Sequence, residues 1–163
     1  MLVQNFLAWR VILAGGLIAG TVDIGAASLI NWLNPAIILH AIASGVLGSA
    51  SFTGGAASAV LGLVLQWLMS LLIAAIFVLL AFIFTIARRY WIVAGIAYGV
   101  LVFFVMNYVV VPLSAAPFRA QHFTVSKFIE NLLAMVLFGL IIAFFTRERH
   151  AAAAATDVPD NAA

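Results

Sequence analysis

Four strongly polar side chains interrupt the apolar stretches of this sequence, and they belong to types that bind solutes or carry protons. They are one carboxylate and three amides: Asp23, Gln66, Asn107 and Asn131. Each lies in a different apolar stretch, in line with small residues at a spacing of about four, the pattern that lets helix backbones approach closely in lipid. Because ionisable groups inside membranes usually face the bundle interior or a water-filled cavity, the pattern predicts a polar layer that binds a solute or ion, or relays a proton.

The same residues also have a purely structural interpretation. Amide side chains cross-link membrane helices through hydrogen bonds worth roughly 1 kcal/mol each, and this interpretation is favoured for the two asparagines and Gln66. Asp23 differs, because a carboxylate in the middle of a spanning helix costs about 2.5 to 3.5 kcal/mol on insertion scales. A hydrogen bond between Asp23 and Gln66 or Asn107 could serve helix packing alone. The sequence therefore favours neither a functional nor a structural role for Asp23.

The elements that must position these groups are membrane-spanning helices. The chain has 163 residues, of which 67% are hydrophobic and 7% charged, and its mean hydropathy is +1.27. Residues 24–87 contain no Lys, Arg, Asp or Glu. This composition excludes a soluble globular domain, where roughly a quarter of the residues are charged. A span needs about 20 apolar residues, so the chain has room for four.

We expect an all-α integral membrane protein with four transmembrane helices and one short interfacial or re-entrant helix between the first two. The Asn34-Pro35 pair favours the start of the short helix, because Asn caps a helix and Pro suits its first turn. The glycine- and serine-rich residues 48–55 end it. The predicted bundle comprises residues 1–150, with spans at about residues 10–30, 56–87, 91–111 and 125–146, the short helix at residues 35–47, and a disordered cytoplasmic tail at residues 151–163.

Basic residues predict the orientation, because cytoplasmic loops hold the excess of Lys and Arg. With four spans and both termini in the cytoplasm, five basic residues lie inside and two outside. The inner group is Arg10, Arg88, Arg89, Arg147 and Arg149, and the outer group is Arg119 and Lys127. The short helix then lies on the outer face, and the four polar residues lie in the outer half of the bundle.

Glycines spaced by four predict where the helices touch. We expect close helix contacts at Gly16, Gly20, Gly62, Gly95, Gly99 and Gly139. Such faces serve contacts within one chain or between chains. Besides the lipid bilayer, the predicted partners are therefore a second copy of the chain, in a homo-oligomer, or another membrane protein.

Signals for other chemistry are weak. His40, on the short helix, and Glu130, three residues after Lys127, are lesser candidates, the first as a polar edge group and the second as half of an interfacial ion pair. The chain has no Cys, and no spacing typical of a metal site or a catalytic constellation. We therefore predict no enzyme activity, no cofactor, no metal site and no nucleic-acid binding.

Several segments carry a resemblance to a protein family. They are Gly20-Thr21-Val22-Asp23 and residues 42–48, 54–57, 61–63 and 106–114. Over spans one to three the chain resembles small bacterial inner-membrane proteins of the YagU-like type, which have four predicted spans and no assigned activity. The resemblance implies a bacterial inner-membrane location. This chain departs from the family pattern where that pattern often has His, at Gln66 and within residues 132–135, which argues against a proton relay through Asp23.

These observations lead to two functional hypotheses of different classes. The first is a small transport or channel-like membrane protein that uses the polar layer in the outer half of the bundle. The alternative is a structural or accessory membrane subunit that packs against other membrane proteins through its GxxxG faces.

Overall fold

The computed structural model describes residues 2–117 and 124–156. Within these residues the fold is entirely helical. The α-helices are α1 (Leu2–Asn31), α2 (Pro35–Leu47), α3 (Gly55–Ile83), α4 (Thr85–Arg89), α5 (Trp91–Val105), α6 (Val111–Leu113) and α7 (Val125–Thr156); a 3₁₀ helix (Gly48–Phe52) follows α2, and a π-helical turn (Met106–Val110) joins α5 to α6.

The break between α1 and α2 forms as the sequence predicts. α1 ends because Trp32 adopts a positive φ of 55°, and the chain then turns so that the Leu33 amide donates to the Ser28 carbonyl at 3.1 Å. Asn34 caps α2, its side chain accepting from the Ala36 amide at 2.9 Å. Pro35 occupies the first turn, where its missing N–H costs nothing.

Helix ends differ from the sequence prediction at four places. α1 begins at Leu2 and not near residue 10. α3 stops at Ile83 and not at residue 87, because Phe84 is extended. α4 then forms a separate short helix. Beyond Val105 the third long helix widens into the π-helical turn, in which the Val111 amide donates to the Met106 carbonyl. α7 continues to Thr156, so it includes the first part of the predicted tail, and residues 157–163 lie outside the described residues.

Four long helices pack in antiparallel pairs. α1 contacts α3 and α7, α7 contacts α5, and α2 packs mainly against α3. The core lies where α1, α3, α5 and α7 meet, and its buried members are Ala19, Ala74, Phe77, Tyr98, Val102, Phe138, Ile142 and Ala143. Tyr98 links α5 to α3, because its hydroxyl donates to the Ile73 carbonyl at 2.7 Å and its ring packs on Phe77 with 5.0 Å between centroids.

The predicted glycines lie at the closest approaches between helices. A Cβ atom placed at Gly16 or Gly20 would meet Ser70 of α3, and one at Gly62 would meet the Leu39 backbone of α2. Gly95 and Gly99 of α5 face Gly139 of α7 in the same way. These GxxxG faces are thus occupied by helices of the same chain.

The surface of the bundle is apolar. Five segments are long and apolar enough to cross a membrane: Trp9–Asn31, Pro35–Phe52, Gly55–Ile83, Trp91–Leu113 and Val125–Arg147. Large apolar residues such as Leu79 and Val93 expose 59% and 64% of their surface. The protein is therefore of the helical membrane type, and by length and composition the second segment is also long enough to span.

Candidate functional site

Asp23 and Gln66 form a hydrogen-bonded pair between α1 and α3. The Gln66 Nε2 donates to Asp23 Oδ2 at 2.8 Å. The pair forms because Gly20 allows α1 to lie directly on Ser70 of α3, which brings the next turn of each helix within side-chain reach. Here and below, the outer end of the bundle denotes the end at which α1 stops, and the inner end denotes the opposite one. Ser70 turns inward on its own helix, its hydroxyl donating to the Gln66 carbonyl at 2.8 Å. The carboxylate in α1 is therefore compensated by an amide donor from its neighbour.

The other two amides bond within their own helices. Asn107 Nδ2 donates to the Phe103 carbonyl at 2.9 Å, and Asn131 Nδ2 donates to the Lys127 carbonyl at 2.7 Å. Both side chains are half-buried. The structure therefore brings together two of the four predicted residues, Asp23 and Gln66, and joins neither asparagine to them by a hydrogen bond.

The two asparagines also lie at other depths than the Asp23–Gln66 pair. The Lys127 ammonium donates to the Ile30 carbonyl, so the start of α7 lies beside the last turn of α1. At about 1.5 Å per residue, Asp23 is then roughly 10 Å inward of this level and Asn131 roughly 6 Å. Asn107 lies one turn outward of Phe103, whose ring packs against Phe128. Asn107 is thus about 10 to 15 Å outward of Asp23 by the same rise per residue.

A cavity lies beside the Asp23–Gln66 pair in the outer half of the bundle, and we call it the outer cavity. It encloses about 340 Å³ between α2, α3 and the π-helical turn with α6. Its walls are mostly apolar, and Gln66 and Ser114 are the side chains with hydrogen-bonding groups. The lining comprises Ile38, Ala41, Ile42, Gly45, Val46, Leu65, Gln66, Met69, Met106, Val110, Val111, Ser114 and Ala116.

The outer cavity lies between α3 and the turn that follows α5. In the inner half α3 and α5 are joined by the Tyr98 hydroxyl and the Ile73 carbonyl. Farther out, Met69 of α3 and Met106 beyond α5 face each other across the open space. α2 closes that space from the third side.

Two contacts hold α2 in place. On one side, Gly62 of α3 lies against the Leu39 backbone. On the other, the Ala115 amide donates to the Gly45 carbonyl at 2.9 Å. α2 therefore bridges the outer ends of α3 and α6.

The π-helical turn shapes one wall of the outer cavity. Pro112 follows it, and proline cannot donate to the carbonyl four residues earlier and crowds that carbonyl with its ring. A wider turn relieves the crowding, and π-helical turns are frequent at functional sites. The widened turn presents Met106 and Val110 to the cavity.

The hairpin of α2, the 3₁₀ helix and α3 holds several buried polar atoms that lack a hydrogen-bond partner among the described residues. They are His40 Nδ1, Ser51 Oγ and Ser58 Oγ. The His40 ring lies 6.5 Å from that of Phe52, centroid to centroid. No group of three or more possible His or carboxylate metal ligands occurs in residues 2–117 and 124–156. His40 lies on α2 and is absent from the cavity lining.

Glu130 lies at the outer end of α7. It accepts from the Ser126 hydroxyl at 2.8 Å and lies 3.6 Å from the Lys127 ammonium, with 41% of its side chain exposed. This is the geometry of an interfacial ion pair, which contributes little to stability. The outer basic residue Arg119 lies outside the described residues.

Sequence reasoning did not identify the apolar part of this site. Met69 and Met106 carry no chemical signal that separates them from other apolar residues of spanning helices. Ser114 belongs to a loop start, where it is held by its own bond to the Val111 carbonyl at 2.7 Å. The one usable signal was Pro112 near the end of an apolar stretch, which marks an irregular turn.

The comparisons with known proteins add no relative. Protein-family models, curated proteins and solved structures were compared with the chain, and none of the three comparisons finds a match.

Proposed function

We propose that this chain is a small membrane protein of the transport type, which binds a small amphipathic solute in the outer cavity. The observation that carries the proposal is the amide of Gln66 in the wall of an otherwise apolar space of about 340 Å³. Ligand sites in proteins are mostly apolar concavities in which a few placed polar groups fix orientation. The solute therefore has an apolar body and a polar group that faces Gln66.

Asp23 supports Gln66 in this proposal. Its carboxylate accepts from Gln66 Nε2, which fixes the amide plane and leaves the amide oxygen as an acceptor for the solute. Asn107 and Asn131 are not part of the site, because their amides donate to carbonyls of their own helices. The proposal therefore includes no continuous proton path through the four polar residues.

We propose four spans with both termini in the cytoplasm, in a bacterial inner membrane. If α2 also crossed the membrane, three basic residues would lie on the cytoplasmic side and four on the outer side. With four spans, five lie on the cytoplasmic side and two on the outer side, as the excess of basic residues in cytoplasmic loops requires. The geometry of α2 favours the same topology. It begins directly after the outer end of α1, and its other end lies beside Ala115, at the outer end of α6.

The alternative of an accessory subunit that packs through GxxxG faces has less support. Gly16 and Gly20 lie against α3, and Gly95 and Gly99 lie against α7. A partner protein would have to use other surfaces of the bundle. Homo-oligomerisation through such surfaces is compatible with the solute-binding proposal.

Ligand-induced thermal stabilisation of the purified protein tests the site. Cyclohexanol and cyclohexane have the same apolar body and differ by one hydroxyl, which can donate to Gln66. We expect cyclohexanol to bind about fivefold more tightly, because a hydrogen bond of this kind contributes roughly 1 kcal/mol. Gln66→Met should remove the preference and keep the binding of both compounds.

A filling variant gives the control. Ala41→Phe places a ring in the outer cavity and should abolish binding of both probes. Ala97→Phe adds the same ring to a different groove, between the inner halves of α3 and α5, and should leave binding unchanged. Unaltered binding in Ala41→Phe would refute the outer cavity as the site.

Flux separates a transporter from a protein that only binds. Phenylalanine has an apolar body and a zwitterionic head that lipid excludes, so entrapped radiolabelled phenylalanine reports assisted passage. We expect faster efflux from liposomes that contain the wild-type protein than from those with Ala41→Phe. Equal efflux from the two kinds of liposome, when thermal stabilisation shows that phenylalanine binds to the wild type, would refute transport and leave solute binding in place.

A further inference from the structure

A second concave surface lies at the opposite end of the bundle, and we call it the inner groove. It has a volume of about 440 Å³ and runs over α7 between α1 and α5. Ile18 lines one side and Ile92 the other, with Ile141 and Phe144 of α7 between them. Each residue that lines the groove is apolar. The inner groove is separate from the outer cavity and shares no lining residue with it.

A guanidinium group stands at one end of the inner groove. Arg147 lies over the ring of Trp91, which itself lines the groove, at 5.3 Å from the ring centroid. Trp91 in turn packs edge-on against Phe144 with 6.0 Å between centroids. Stacking covers one face of the guanidinium and leaves the N–H groups along its edge, the groups with which Arg holds phosphates.

The surroundings add positive charge and an interfacial character. Arg89 stands over the ring of Tyr90, 5.7 Å from its centroid, just before Trp91 in the chain. Trp and Tyr are enriched where headgroups meet the hydrocarbon layer. In the orientation proposed above this end faces the cytoplasmic leaflet, which carries anionic lipid and attracts basic residues by about 1 kcal/mol each.

We propose that the inner groove is a binding site for an anionic phospholipid of the inner leaflet. An acyl chain lies along the apolar floor formed by Ile141 and Phe144, and the phosphate accepts hydrogen bonds from Arg147. Charge complementarity selects this lipid over a zwitterionic one, whose ammonium group would stand among the basic residues. The inference depends on the proposed orientation and not on solute binding in the outer cavity.

Native mass spectrometry of the full chain in detergent tests the proposal. The probes are phosphatidylglycerol and phosphatidylcholine with identical acyl chains. We expect the wild-type protein to retain phosphatidylglycerol preferentially, and Arg147→Gln to lower that retention about fivefold, as expected for the loss of one basic residue at a lipid headgroup. Lys127→Gln removes the same charge at the other end of α7 and should leave retention unchanged.

Two bulky substitutions on α1 test the groove independently of charge. Ile18 and Leu13 expose 45% and 46% of their surfaces, and Ile18 alone of the two lines the groove. Ile18→Trp should lower phosphatidylglycerol retention, and Leu13→Trp should not. Equal retention of the two lipids by the wild type, or equal losses in Arg147→Gln and Lys127→Gln, would overturn the proposal. So would equal effects of the two tryptophan substitutions, since the lipid would then not occupy the groove.

Discussion

Replacing Gly99 with alanine should push α5 away from α7. A Cβ atom at this position would overlap the Met135 carbonyl oxygen and would lie 2.7 Å from Val136 Cα and 3.0 Å from the Met135 carbonyl carbon. All three are backbone atoms, and they cannot rotate aside as the end of a side chain could. The contact can be relieved only by a shift of the helices.

The size of the effect follows from two opposed contributions. Inserting a methyl group into a closely packed contact typically costs about 1 to 3 kcal/mol. Alanine favours helix over glycine by up to about 1 kcal/mol. We therefore expect Gly99→Ala to lower the free energy of unfolding by roughly 1 to 2 kcal/mol, which is a large fraction of the stability of a small protein.

Gly25 supplies the matched control for this substitution. It is also a helical glycine, in α1, and no heavy atom would lie within 4 Å of a Cβ placed there. Gly25→Ala should leave stability unchanged or raise it slightly. Unfolding of both variants by SDS in mixed micelles, followed by circular dichroism, measures the difference. Equal transition midpoints would refute the close contact of α5 with α7 at Gly99.

Two further predictions concern α3 and the topology. Tyr98→Phe should lower the free energy of unfolding by about 1 kcal/mol in the same assay, because the Ile73 carbonyl loses its donor. Leu79→Ala, at a residue that is 59% exposed, should lower it less. A larger effect of Leu79→Ala would contradict the contact between Tyr98 and α3. The chain has no Cys, so single cysteines at Ser49 and Ala163 can be tested with a membrane-impermeant maleimide on intact cells. We expect labelling of the first and not of the second, and labelling of both would exclude four spans with the C-terminus inside.

The small residues spaced by four in α1 limited the partner of Asp23 to two candidates, Gln66 and Asn107. Gly16 and Gly20 require a close neighbour, and a polar residue one turn farther out then needs a donor on that neighbour. Gln66 stands in the corresponding ladder of the next span, and the two are bonded. Local spacing therefore predicts which faces meet when the contact is made by backbone atoms.

The depths of the polar residues within the bundle could not be predicted in the same way. Counting residues from the ends of spans places Asn107 and Asp23 at similar heights only if the helices are straight, parallel and in register. The π-helical turn at Met106–Val110 and the offset set by Lys127 against Ile30 change that register. The π-helical turn follows from Pro112 in its own helix, and the offset follows from a side chain that reaches between helices. The spacing of small residues along one helix records neither.

The outer cavity was beyond sequence reasoning for a related reason. The short helix α2 was predicted from Asn34 and Pro35, but its bridging position depends on two backbone contacts, at Gly62 and at Ala115. A space between helices depends on how the helices are placed relative to one another. The residues that line it, such as Met69, are of the same types as those that face lipid.

The Asp23–Gln66 pair makes a prediction about non-additive effects of mutation. Gln66→Leu should be the most destabilising single change at this site, because it leaves the half-buried carboxylate between α1 and α3 without its donor. Leaving a buried polar group unsatisfied costs about 1 to 3 kcal/mol. Asp23→Leu should cost less, since the orphaned group is then a neutral amide.

The double variant Asp23→Leu with Gln66→Leu should be more stable than Gln66→Leu alone. Removing both partners avoids the orphaned group and also removes a carboxylate that costs about 2.5 to 3.5 kcal/mol at the centre of a spanning helix. The coupling energy from the double-mutant cycle in SDS unfolding should therefore exceed the average of roughly 0.6 kcal/mol for hydrogen bonds between membrane helices and approach the maximum of about 1.7 kcal/mol. If the single effects simply add, the two side chains do not depend on each other, and Asp23 is not what holds the Gln66 amide at the wall of the outer cavity.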